Sequence, residues 1–131
     1  MSDRLAGKVA IVVGAAMRVQ ILGLALGASV VCVDRRGESA AETVAMIAEE
    51  GGSAVAVTAD ATDEAACRAF VASAISRFGH VDVLHNNVGI GGGDDTPSRI
   101  DPQSWDRILS VNLRSAVLPC KAVLPAMRAQ R

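Results

Sequence analysis

Tyrosine is absent from this chain of 131 residues, and Phe70, Phe78 and Trp105 are its whole aromatic complement, although half of the residues are apolar. A core without large rings has to be filled by Ala, Val, Ile and Leu, the material of helices packed on a buried sheet. Charge of one sign is never concentrated. Thirteen basic side chains face fourteen acidic ones and no basic block occurs, which argues against nucleic acid and anionic membrane as partners. The longest uncharged run, residues 19–33, contains Gln20, Gly23, Gly27 and Ser29 and is too short and interrupted to cross a bilayer. No apolar signal region follows Met1-Ser2-Asp3-Arg4. Cys32, Cys67 and Cys120 are odd in number and widely spaced. They exclude a disulfide framework and a metal-like pairing, so each reads as a small buried apolar side chain in a reduced, cytoplasmic protein.

What is present is an alternation. Short β-branched runs at residues 8–13, 29–34, 54–59 and 81–86 read as strands. Segments of helical period lie between them at about 17–26, 38–50 and 63–78. The last of these has Ala66, Phe70, Val71, Ala74, Ile75 and Phe78 on one face, Thr62 as a cap and Gly79 as a left-handed stop. Residues 89–97 are rich in Gly and Asp and read as a mobile loop. Asp101-Pro102 then opens a helical stretch to the C-terminus, with a break expected near Val111-Asn112 and kinks or interruptions at Pro119 and Pro125. Strand–helix alternation implies a single α/β domain over residues 1–131, a doubly wound parallel sheet of Rossmann-like type with strand order 3-2-1-4.

In such a sheet a ligand binds beyond the carboxyl ends of the strands where their order reverses, here between strands one and four. Gly14-Ala15-Ala16, Asp34-Arg35-Arg36, Asp60-Ala61 and Asn87-Val88-Gly89 stand at those ends. A carboxylate at Asp34 can accept both hydroxyls of an adenine ribose and repels an added 2′-phosphate, though a strand-ending turn also suits Asp. Arg35 and Arg36 offer guanidinium groups to that phosphate and weaken the preference. Asp60 either accepts from an adenine amino group or caps the following helix together with Thr62. His85 inside strand four and His80 before it read as core and surface histidines.

Taken in order, these motifs resemble the short-chain dehydrogenase/reductase family over essentially the whole chain. Residues 7–16, Gly-Lys-Val-Ala-Ile-Val-Val-Gly-Ala-Ala, resemble the family's opening strand and first phosphate-loop glycine, Gly14. Asp34 matches its NAD-selecting acid, and Asp60, followed by Ala61, its adenine-contacting acid. Asn86-Asn87-Val88-Gly89 is close to the family's Asn-Asn-Ala-Gly, and residues 105–113 resemble the segment bearing its catalytic-site asparagine, here Asn112. The resemblance implies a nicotinamide cofactor, NAD rather than NADP. It also implies hydride transfer to or from a small secondary alcohol or ketone, and a homo-oligomer assembled through the C-terminal helix.

Two departures temper it. The family's Thr-Gly-x-x-x-Gly-x-Gly has Val13 for the threonine and Arg18 and Gln20 for the later glycines, and the interval from Gly14 to Gly27 is about one helical turn short. Side chains there obstruct the approach of pyrophosphate to backbone N–H groups, leaving Arg18 as a charge toward the phosphates. The Ser, Tyr and Lys that the family uses for proton transfer have no counterpart. Lys8 and Lys121 are the only lysines, and Asn112 alone is carried over. The chain is therefore expected to be an incomplete cofactor-binding half, weak in binding and without turnover by itself. The alternatives are a non-catalytic nucleotide-binding or subunit-interaction module, and a phosphoacceptor receiver domain that would need acids where Gly14-Ala15-Ala16 stand.

Overall fold

All four β-branched runs are strands. The computed structural model describes residues 4–16, 27–92 and 96–131. In it β1 (Val9–Val13), β2 (Ser29–Asp34), β3 (Ser53–Thr58) and β4 (Val83–Asn86) form one parallel sheet in the order β3-β2-β1-β4. Ile11 pairs with Val31 on one side and Leu84 on the other, and Val31 with Val55. β1 is buried throughout and β2 at its four central residues, as strands covered on both faces must be.

Strand four begins two residues later than the pattern of apolar residues implies, because side chains satisfy the backbone there. The Gln130 amide accepts from Val81 N–H at 3.0 Å and donates to Val81 C=O at 2.9 Å. Asp82 Oδ2 accepts from Val9 N–H at 2.8 Å. Burial pulls the Asp82 pKa up, yet that amide bond, Lys8 and His80 together hold it below the ordinary carboxylate value.

Three helices cover the sheet: α1 (Gly37–Glu49), α2 (Glu64–Phe78) and α3 (Pro102–Ala129). Ala40 and Ile47 of α1 pack on Val12, Val30 and Cys32. On the opposite face Phe70, Val71 and Ala74 of α2 and Leu118 and Val123 of α3 pack on Ile11, Val13, Val31 and Val33. The helix expected over residues 17–26 lies outside the described residues, as does Arg18. Cys67, not Ala66, is the buried residue of the first turn of α2. Burial pushes the Cys32 and Cys67 thiols up to about 11, leaving them inert. Cys120 departs from expectation and is exposed.

The cap of α2 also differs. Asp63, one residue beyond Thr62, accepts from Ala66 N–H at 2.7 Å, while Thr62 turns back to Asp60. Asp63→Ala should cost about 1 kcal/mol of stability in urea unfolding, the usual loss of an N-cap. A change indistinguishable from zero would show that solvent replaces the carboxylate. Gly79 stops the helix at φ +86° as expected.

α3 corrects the expectation of a broken helix. It runs through Val111-Asn112, Pro119 and Pro125 without interruption. Each proline removes one amide donor, but the flank Ser115, Leu118, Pro119 and Val123 is buried against the molecule and Gln130 anchors the far end. Tertiary packing thus outweighs the lost bonds. Asn112 does not compete for the helix backbone, because its side chain is engaged elsewhere. By length and composition α3 could cross a bilayer, with a mean hydropathy of 1.2 in its most apolar window. Its packing on α2 and β4 accounts for its buried flank.

Candidate cofactor site

The carboxyl ends of the four strands surround a cleft of about 390 Å³. Its walls are the turn after β1 (Gly14, Ala16), the end of β2 (Asp34, Arg35, Arg36), the loop after β3 (Asp60, Ala61, Thr62) and the loop after β4 (Asn87, Val88, Gly89, Ile90). Gly14, Asp34, Asp60, Ala61, Asn87, Val88 and Gly89, expected from sequence to contact the cofactor, all line this one cleft across the reversal of strand order, whereas Ala15 beside Gly14 is fully buried.

Gly14 has φ +85°, and a Cβ there would stand 2.7 Å from the Asn87 carbonyl carbon and 2.8 Å from Val88 N. The contact of the two loops backbone to backbone is by itself enough to require glycine here. The turn is tied down on all sides. Gly14 and Ala15 both donate to Val33 C=O, at 2.8 and 3.1 Å, and Asn87 Nδ2 donates to Gly14 C=O at 3.2 Å. Ala16 N–H donates to Asp34 Oδ2 at 3.2 Å. Gly89, by contrast, has nothing within 4 Å of its Cβ position.

Asp34 is half-buried at the end of β2, and its other oxygen accepts from Arg36 N–H at 2.8 Å. Two backbone donors thus fix a carboxylate at the cleft wall. Each carboxylate oxygen retains acceptor capacity for a ligand hydroxyl. Arg35 and Arg36 are exposed at the same rim. Asp60 is exposed and accepts from both Thr62 N–H (2.9 Å) and Thr62 Oγ1 (2.7 Å). Those two bonds hold its pKa below the ordinary value, so it stays ionised at neutral pH. It shapes the loop ahead of α2 without capping the helix.

Asn86 donates to Ala116 C=O at 3.2 Å, and its Oδ1 is buried without a partner among the described residues. Asn112 forms a two-bond clasp on Ile90, accepting its N–H at 2.8 Å and donating to its C=O at 3.0 Å. Its side chain thereby locks the loop after β4 onto α3. His85 is half-buried in β4 with Nε2 lacking a partner among the described residues, and His80 pairs with Asp82 at 3.0 Å. Neither lines the cleft.

Sequence reasoning missed Ile90 in the loop after β4 and four residues elsewhere. Val111 and Ser115 line the cleft from α3. Reading Val111, Asn112 and Ser115 as one unbroken helical face would have found them. Arg114 Nε donates to Thr62 C=O at 2.8 Å, and the buried Thr43 donates to Ala15 C=O at 2.7 Å. No spacing in the sequence announces either bond.

A parallel sheet of this order, with a glycine turn after β1 and an acid closing β2 at the reversal point, defines a Rossmann-type NAD(P)-binding domain. The chain belongs to the short-chain dehydrogenase family, whose model matches residues 8–131. It is 38% identical over 143 aligned positions to the trans-4-hydroxycyclohexanecarboxylate dehydrogenase of Sinomonas cyclohexanicum, covering 98% of this chain and 53% of that one. Among solved structures, NAD⁺-bound xylitol dehydrogenase superposes with a TM-score of 0.90 at 29% identity, covering 97% of this chain and 50% of that one. A metagenomic short-chain oxidoreductase in complex with NADP superposes at 0.85 with 33% identity, covering 98% and 60%. The chain spans a third to about half of the length of the curated relatives it matches.

Proposed function

We propose that this chain is the cofactor-binding part of an NAD-dependent short-chain oxidoreductase that transfers hydride between nicotinamide and a secondary alcohol or ketone. The observation that carries NAD over NADP is the Asp34 carboxylate, fixed by Ala16 and Arg36 amides at the cleft wall. There it can accept ribose hydroxyls and oppose a 2′-phosphate. When bound, the nicotinamide ring supplies the hydride acceptor or donor. Gly14, Ala61, Asn87, Val88 and Gly89 would form the walls around the dinucleotide, and Asp60 would meet the adenine. Asn112 would act by holding Ile90. These residues offer no tyrosine as proton donor, so binding without turnover is the expected behaviour of the chain by itself.

The exposed stripe Trp105, Leu109, Leu113, Val117 and Leu124 on α3 supports homo-oligomer formation through that helix. A non-catalytic nucleotide-binding or subunit-interaction module is the second reading. It is favoured by the turn after β1, whose three amides are already engaged internally. It is favoured also by length: 143 aligned positions against 131 residues require at least 12 at which the Sinomonas relative has a residue and this chain has none.

Calorimetric titration with NADH and NADPH tests the proposal. Saturable binding with NADH preferred is expected, and no saturation at millimolar nucleotide overturns both nucleotide-binding readings and leaves only the subunit-interaction one. Asp34→Ala should weaken NADH about 10- to 100-fold, the worth of hydrogen bonds to a charged group, and spare NADPH. Unchanged NADH affinity would return Asp34 to a turn-forming role.

A further inference from the structure

Thr43 lies on the sheet-facing side of α1 and is 2% exposed. A threonine inside a helix commonly turns its hydroxyl back to the carbonyl four residues earlier. That carbonyl, Ser39 C=O, lies 3.1 Å from Thr43 Oγ1, whereas Ala15 C=O in the turn after β1 is nearer, at 2.7 Å. The single hydroxyl proton is therefore directed at Ala15. The Ala15 carbonyl and the Ala16 N–H belong to one planar peptide unit, and that N–H donates to Asp34 Oδ2. Thr43 and Asp34 thus grip the same rigid plane from its two ends, and rotation of the plane would disturb both bonds together.

We infer that Thr43 is a positioning residue for Asp34. Its hydroxyl orients the 15–16 peptide, and through it the carboxylate that discriminates NAD from NADP. This inference rests on the NAD reading above and adds a residue remote from the cleft lining to the machinery of selection. Hydrogen bonds joined through a peptide polarise one another, so the Thr43 bond also strengthens the Ala16–Asp34 bond. Without the hydroxyl, Gly14 N–H and Ala15 N–H still hold Val33 C=O, but the Ala15 carbonyl loses this tie. Asp34 then rests on Arg36 N–H and a less constrained Ala16 N–H, and its carboxylate can turn away from the ribose position.

The test compares NADH and NADPH dissociation constants for the unaltered chain, Thr43→Val and Thr43→Ser. Thr43→Val should weaken NADH about fivefold, as loss of one buried hydrogen bond does, and change NADPH by less than about twofold. The ratio of the two constants narrows, and Thr43→Ser restores it. In an Asp34→Ala background Thr43→Val should leave the ratio alone, because the group it positions is gone. A threonine that merely fills the core would lower stability without moving the ratio, and an unmoved ratio overturns the inference. Should Thr43→Val not fold, Thr43→Ala removes the same hydroxyl and takes its place. If the unaltered chain binds neither nucleotide, the cofactor reading fails separately, and amide exchange at Ala16 decides the Thr43 link. Faster exchange in Thr43→Val with recovery in Thr43→Ser sustains the link, and equal exchange in all three ends it.

Discussion

Gly14→Ala should destabilise the chain by about 2–5 kcal/mol, combining overpacking against backbone with a positive φ that L-residues resist. The added Cβ would meet the Asn87 carbonyl carbon and oxygen at 2.7 Å and Val88 N at 2.8 Å. Those atoms cannot turn aside as a flexible side chain could. Relief requires the turn after β1 to part from the loop after β4, breaking Asn87 N–H to Val13 C=O (2.8 Å) and Asn87 Nδ2 to Gly14 C=O (3.2 Å). Both loops wall the same cleft, so nucleotide binding should fall with stability. Urea unfolding followed by circular dichroism, with an NADH titration below the midpoint, measures both. A variant as stable as the unaltered chain would mean that the loops approach less closely than the structure shows.

The second large effect lies in the core. Phe70 is 1% exposed and packs in the cluster that joins α2 to Ile11, Val13, Val31 and Val33 and to Leu118 and Val123 of α3. Phe70→Ala should cost about 3–5 kcal/mol, from lost apolar burial and the cavity left behind. With total stabilities of about 5–15 kcal/mol for a domain, that is enough to leave a large unfolded fraction at 37 °C. The consequence is sharpened by composition. Phe70 is the one fully buried aromatic side chain among the described residues, and its neighbours are mostly Val, Ala and Ile, too short to close over the gap. Thermal unfolding gives the answer, and a loss below about 1 kcal/mol would show that α2 and α3 collapse together into the space.

How much of this was legible beforehand depended on the range of the interaction. The strands were readable because burial on both faces leaves unbroken β-branched runs such as Val9–Val13. Parallel pairing followed from alternation with helices and right-handed crossovers, and the order β3-β2-β1-β4 is the one expected of a Rossmann-type sheet. Asp34, Asp60 and Asn87 were found because topology alone brings strand ends to one rim. Thr62 was misread as the cap of α2 because two adjacent residues could serve and only backbone geometry chooses Asp63. The break near Asn112 was misread because a polar residue inside a helix has two possible allegiances. It turned outward to Ile90, 22 residues away in sequence.

The sequence by itself determined the class of fold, the family resemblance and the set of strand-end residues, since periodicity and motif order are local and additive. Tertiary structure alone decided that α3 stays whole through two prolines, that Gly14 is fixed by the Asn87 backbone, and that Thr43 reaches Ala15 across 28 positions. Each of these rests on contact between groups far apart along the chain. Such contacts depend on distances of a few tenths of an ångström, which no pattern of residue types encodes.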